Sequence, residues 1–152
     1  MDRRGISPVI ATVIIVAVAI AIAIAVAFWL TGIVGLFTGF EQVQIVSAYA
    51  EISGSNFVIH IKLKNTGTSP ATIDEIFING QPISDALGTT FTLGGDVSSL
   101  PYTLNPGSDA EMTITFAIDS TWAGGTLTHG TSVEIKVHTA SGKEYPKLVV
   151  LP

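Results

Sequence analysis

The chain has 152 residues, of which 47% are hydrophobic and only 12% charged, and it contains no cysteine. The length suits one domain of modest size, and the charged share is about half the ~25% of an ordinary soluble domain. Lack of cysteine excludes a disulfide framework, a thiolate nucleophile and a thiolate metal site, and a formal net charge of −5 argues against a nucleic-acid partner, which needs a basic face.

The charge is unevenly placed. Three of the 19 charged residues lie in the first four positions, none falls between Gly5 and Phe40, and sixteen are spread over residues 41–152. The chain therefore joins two materials, an uncharged apolar segment and a polar domain. Between Ile6 and Leu30 the non-apolar positions are Ser7, Pro8 and Thr12. As a helix, 25 residues span about 37 Å, enough to cross a hydrocarbon core of ~30 Å. Val16–Ala27 reads VAVAIAIAIAVA, a period of two that would suggest a strand in a soluble protein. A lone strand cannot satisfy its backbone in lipid, so length and lack of charge predict a helix.

On that helix the alternation has a packing consequence. Ala17, Ala21 and Ala25 form one slanted stripe, and Ala19, Ala23 and Ala27 form another on nearly the opposite side. Small residues allow close approach between helices where lipid and side chain are equally apolar. Gly32 and the Gly35-x-x-x-Gly39 pair add a close contact or a flexible exit from the helix. Ser7 is placed to cap the helix start, and Pro8 suits its first turn. Arg3 and Arg4 precede the span and the first charge beyond it is Glu41, so the positive-inside bias puts the N-terminus in the cytoplasm and residues 41–152 outside. Three fates of the segment compete: a secretory signal cut near Ala25-Val26-Ala27, for which the apolar run is too long; a permanent anchor; and a third that depends on a resemblance.

Arg3-Arg4-Gly5 followed by Ile6-Ser7-Pro8-Val9-Ile10-Ala11-Thr12 resembles the N-terminus of archaeal type IV pilins. The resemblance covers roughly the first 30 residues. It implies a class III signal peptide (leader 1–5) cut by a prepilin peptidase between Gly5 and Ile6. It further implies a membrane and assembly helix over 6–41, a β-rich head over 42–152, and polymerisation of the chain with itself into an extracellular, adhesive filament. The precursor would sit in the cytoplasmic membrane with the pilus assembly machinery as partner. Bacterial relatives have Glu at the fifth mature position; here it is Ile10, so subunit register would rest on shape, including the alanine stripes. Archaellins, the motility-filament proteins, share the plan but usually start the helix with a Gly-rich sequence. Beside these stand a minor pilin-like or sugar-binding assembly component and a membrane-anchored β-domain receptor or accessory protein.

Beyond Glu41 the text changes to short alternating runs. Phe57–Leu63, Met112–Ile118 and Val133–Val137 each alternate apolar and polar residues, the signal of a half-buried strand. Val43–Ile52, Ala71–Ile78, Thr89–Leu93 and Tyr145–Leu151 are further candidates. Turn signals separate them: Asn65-Thr66-Gly67, Asn79-Gly80, Gly94-Gly95-Asp96, Asn105-Pro106-Gly107 and Ser141-Gly142. Asn79-Gly80 is the strongest, because a type I′ hairpin needs positive φ at both positions. The expected fold class is α+β, a long apolar helix followed by an immunoglobulin-like antiparallel β-sandwich. Ser and Thr make up roughly a fifth of the head. No Asn-x-Ser/Thr sequon exists at Asn56, Asn65, Asn79 or Asn105, which leaves O-linked sugar as the open modification.

The sequence offers no catalytic constellation. His60, His129 and His138 are the only histidines, without H-x-H or H-E-x-x-H spacing. Asp74-Glu75 and Asp109-x-Glu111 read as solvated acidic pairs, and no calcium loop surrounds Asp96. There is no P-loop, no G-x-G-x-x-G and no G-x-S-x-G, and Gly124-Gly125 reads as a turn. Trp122 and Tyr145 are expected in the core rather than as adhesive contacts. The expectation is a structural protein with no enzyme activity, cofactor or metal.

Overall fold

The computed structural model describes residues 6–37 and 39–152, with side chains from residue 8 onward apart from residues 35–37. The chain forms two compact units, Met1–Gly39 and Phe40–Pro152.

The first unit is one helix, α1, over Ile6–Phe37. It ends four residues short of the expected limit at Glu41, and the chain is non-helical at Gly39 and Phe40. Pro8 occupies the first turn, where its missing N–H costs no hydrogen bond. Apolar residues are spread around the whole circumference, so α1 lacks the single stripe by which a surface helix docks on a globular core.

The second unit is built from antiparallel strands. β1 (Val43–Ser53), β2 (Asn56–Asn65), β7 (Asp109–Ala117) and β5 (Thr92–Gly95) form one sheet in that order. The other sheet runs β11 (Glu144–Val150), β10 (Ser132–Thr139) and β3 (Ala71–Ile78). The free edge of β3 is shared by β4 (Gln81–Pro82) at Phe77–Ile78 and by β6 (Tyr102–Leu104) at Ala71–Ile73. A small hairpin joins β8 (Ser120–Trp122) to β9 (Gly125–Leu127), and a 3-10 turn covers Ser84–Ala86.

Period-two alternation decides which side of each strand is inside. In β2 the buried residues are Phe57, Ile59, Ile61, Leu63 and Asn65; in β7 they are Ala110, Met112, Ile114 and Phe116; in β10 they are Val133, Ile135, Val137 and Thr139. These faces meet in a single core, knitted by tilted ring contacts of Phe116 with Phe57 at 5.8 Å and with Phe91 at 5.5 Å. Two bulges interrupt the pattern. In β1 Ile45 faces Leu63 and Ser47 faces Lys62, so Val46 is the extra residue and the inward set moves from Val43 and Ile45 to Ala48 and Ala50. In β3 Asp74 is extra between Ile73 and Glu75, and the inward set moves from Ala71 and Ile73 to Ile76 and Ile78.

The seven strand candidates of the sequence all contain observed strand, and β4, β6, β8 and β9 add short pairings. These have two or three residues, too few to show alternation. Two turn assignments differ. Gly94-Gly95, expected as a turn, lies inside β5 opposite Thr113 and Met112. A Cβ on Gly94 would stand 2.7 Å from Thr113 Oγ1 and one on Gly95 2.5 Å from the Glu111 carbonyl, so the glycines permit close strand approach. In the β8–β9 hairpin the turn is Ala123-Gly124, both with positive φ, and Gly125 already pairs with Trp122. Asn79 (φ 51°) and Gly80 (φ 80°) do form the left-handed pair that their sequence suggests.

Candidate functional site

The largest unsatisfied surface is that of α1. Apart from the half-buried Ile33, its large apolar side chains from Val9 to Val34 expose between 47% (Val26) and 76% (Phe28) of their surface. Its two described hydroxyls are turned onto its own backbone: Thr12 Oγ1 donates to the Val9 carbonyl and Thr31 Oγ1 to the Ala27 carbonyl, both at 2.8 Å. What the helix presents is therefore hydrocarbon on every side. Pro8–Val34, 27 residues, is long and apolar enough to cross a membrane.

The expected packing residues lie along this surface. Ala17, Ala19, Ala21, Ala23, Ala25 and Ala27 are all in α1 and exposed, and Ala17 helps to line a shallow apolar depression with Val13, Val16 and Ile20. A Cβ on Gly32 would meet nothing within 4 Å, so no steric demand inside the chain requires glycine there. Gly35 is helical and Gly39 lies beyond the helix end. Arg3, Arg4 and Gly5 lie outside the described residues; Ile6 and Ser7 are helical, and the expected cap rests on a Ser7 side chain outside the description.

On the head, the polar groups gather on the outer sheet faces. His60 sits on β2 between two carboxylates from its neighbours: Nε2 is 3.1 Å from Glu51 Oε1 on β1, and Nδ1 is 3.1 Å from Glu111 Oε1 on β7. Tyr49 stacks on the imidazole at 4.9 Å with planes 7° apart. An ionised carboxylate only accepts, so both ring nitrogens must donate to satisfy both partners, and the imidazolium does so. The Glu111 hydrogen bond raises the His60 pKa above its ordinary value, burial opposes this, and Glu51 adds to the rise. Along the same face Asp109 stands between Lys62 (3.6 Å) and Lys64 (3.5 Å). His138 Nδ1 lies 2.6 Å from Oδ1 of Asp74, the extra residue of the β3 bulge. Asp96 Oδ2 accepts the backbone N–H of Glu111 at 2.9 Å.

The histidines thus take separate carboxylates or, for His129, the carbonyl of Pro152. Among the described residues no group of three or more His, Asp or Glu is arranged to hold a metal. Trp122 is half-buried, stacks edge-on against Phe91 at 4.9 Å and donates from Nε1 to the Ile78 carbonyl, so it is a packing residue. Tyr145 also packs against the core, with its hydroxyl buried and without a hydrogen-bond partner among the described residues.

A structural hub went unmarked by any sequence motif. Asn65, expected only as a turn residue, is fully buried. Its Nδ2 donates to the carbonyls of Ser69 (2.8 Å) and Leu104 (2.9 Å), and its Oδ1 accepts from Gly67 N–H (3.0 Å). Gly67 is needed beside it, because a Cβ there would stand 2.6 Å from the Gln42 nitrogen. Lys143 Nζ donates to the Glu41 carbonyl and ties the strand entry to the β10–β11 turn.

The chain is thus an apolar-helix protein with an antiparallel β head. No family model matches it, and no curated protein matches it in sequence. Similar solved structures include the apo PCuAC domain from PmoF1, at 14% identity and TM-score 0.45, covering 74% of this chain and 98% of that one. The cupredoxin domain of amoB from Nitrosocaldus yellowstonii is 9% identical with TM-score 0.38, over 64% of this chain and 56% of that one. The secreted serine protease VesC from Vibrio cholerae is 9% identical with TM-score 0.40, over 73% of this chain and 22% of that one. Likenesses at this level transfer no function.

Proposed function

We propose that this chain is the structural subunit of an extracellular helical filament of the archaeal type IV pilus kind, serving surface adhesion. The observation that carries the reading is α1: 32 residues, uncharged, apolar around its circumference and with its described hydroxyls, Thr12 and Thr31, turned onto its own backbone. Such a surface needs lipid or like helices around it, and the leader-like Arg3-Arg4-Gly5 offers a route from one to the other. The head's two antiparallel sheets around one core fit the immunoglobulin-like sandwich that the strand spacing suggests.

In this mechanism a prepilin peptidase cuts between Gly5 and Ile6 while the helix is still in the membrane. Assembly machinery then moves the helix from lipid into a bundle of identical helices, so its hydrocarbon stays away from water throughout. Close packing of the alanine stripes supplies association within lipid, and the hydrophobic effect retains the subunit once extracted. A head-to-tail contact whose rotation does not close produces a filament.

Electron microscopy of material shed from cells producing the chain, with N-terminal sequencing of that material, tests the reading. Repeating fibres whose subunits begin at Ile6 are expected. A protein that stays in the membrane with Met1 intact would instead make α1 a permanent anchor of a receptor or accessory β-domain. Fibres that rotate and drive swimming would place the chain with archaellins, and scarce incorporation into fibres of another subunit would make it a minor component.

A further inference from the structure

The head carries a concavity of about 460 Å³ that plays no part in polymerisation through α1. It lies where β2, β5, β7 and β8 come together, and Phe116 forms part of its lining. Its size falls in the range of small-ligand sites, roughly 300–1,000 Å³. Its chemistry is uniform: six hydroxyl side chains, the Asn56 amide, and no ionisable group. Thr92 and Thr115 face each other directly across the β5–β7 pairing. Thr89 Oγ1 is already engaged with the Ala86 carbonyl. Ser120 Oγ is buried with no hydrogen-bond partner among the described residues, so the accessible hydroxyls are those of the threonines.

We propose that this cleft binds a neutral, polyhydroxylated ligand of the saccharide class. A sugar hydroxyl both donates and accepts, and so do Thr90, Thr92, Thr115 and Thr121, which lets each pair with either role of the ligand. A phosphate or carboxylate would lose its hydration here without a cation to replace it, which selects against charged ligands. The aliphatic methyls of the threonines supply the apolar share of the contact. The cleft belongs to the head alone, so the proposal stands or falls independently of filament assembly.

The test uses the full chain in a detergent without a sugar headgroup, with threonine methyl groups labelled for NMR. Glucose, galactose, mannose, N-acetylglucosamine and lactose are titrated separately, and glucose 6-phosphate serves as the charged comparison. At least one neutral sugar should give saturable shifts at Thr90, Thr92, Thr115 and Thr121. The T92V/T115V variant, which keeps β-branched shape in both strands, should bind that sugar about tenfold more weakly, the loss expected for two removed hydroxyl partners. Thr126→Val, outside the cleft, should bind as the parent does. No saturable shift with any neutral sugar would show a merely solvated cleft and overturn the proposal. So would unchanged affinity in T92V/T115V, or tighter binding of glucose 6-phosphate at the same residues.

Discussion

His60 joins three strands through one ring, and its charge state sets whether both contacts hold. When neutral, one nitrogen turns a lone pair toward a carboxylate; when protonated, both donate. Because its pKa is raised in the folded head, the stabilisation is complete below the ordinary histidine range and is lost as pH rises through the folded value. Thermal unfolding should therefore show the His60 contribution below the ordinary histidine range and its loss as pH rises above that range through the folded value, and Glu111→Gln should flatten that difference more than Glu51→Gln. An identical pH slope in parent and Glu111→Gln would sink this account. Asn65 makes a second residue-scale case. Asn65→Ala strands a buried carbonyl, a part-buried carbonyl and a buried N–H, and at about 1–3 kcal/mol for each unsatisfied buried group the head should lose on the order of 3 kcal/mol in denaturant unfolding. Nothing in Asn65-Thr66-Gly67 distinguished this hub from an ordinary turn, because its carbonyl partner at Leu104 lies 39 positions away.

At the scale of elements, the strands with clean alternation were legible and those with bulges less so. β2, β7 and β10 keep one phase throughout, and their inward residues are the alternating apolar ones read from the sequence. In β1 and β3 an extra residue changes phase midway, so Ile73 and Ile76 both face inward at a spacing no regular strand allows. The bulge also explains why Asp74 meets His138, a contact that simple alternation would not place. For α1 the test is differential. If small residues are sites of close helix approach, Ala21→Leu with Ala23→Leu should disrupt assembly strongly, while Ile22→Leu, which conserves volume, should assemble nearly as the parent does. Equal assembly by both variants would mean that the stripes do not set the packing.

For the whole molecule, the division at Gly39 and Phe40 separates two kinds of stability. Among the described residues, all 24 buried hydrophobic residues of the core lie between Val43 and Leu151, so the head contains its own core. A fragment of residues 40–152 should remain soluble without detergent and unfold cooperatively, whereas the full chain should aggregate unless held in detergent, lipid or polymer. A fragment that fails to show a cooperative transition would mean that the head depends on α1. Processing is a property of the whole chain as well. Gly5→Phe should leave the leader attached, seen as an intact-protein mass that includes residues 1–5, and keep the protein in the membrane fraction.

What the sequence by itself determined was the division of labour: an uncharged run long enough to demand a helix, and short alternating runs that demand sheets. Both follow from local periodicity and from where charge is absent, which are visible along one dimension. Tertiary structure alone decided which strands share a sheet, where the two bulges fall, and that Asn65 is a hub. It also decided that His60 stands between Glu51 and Glu111, which come from three different strands, and that distant threonines line one cleft. These depend on register between segments up to dozens of residues apart, and register is set by how the two inward faces close on a common core.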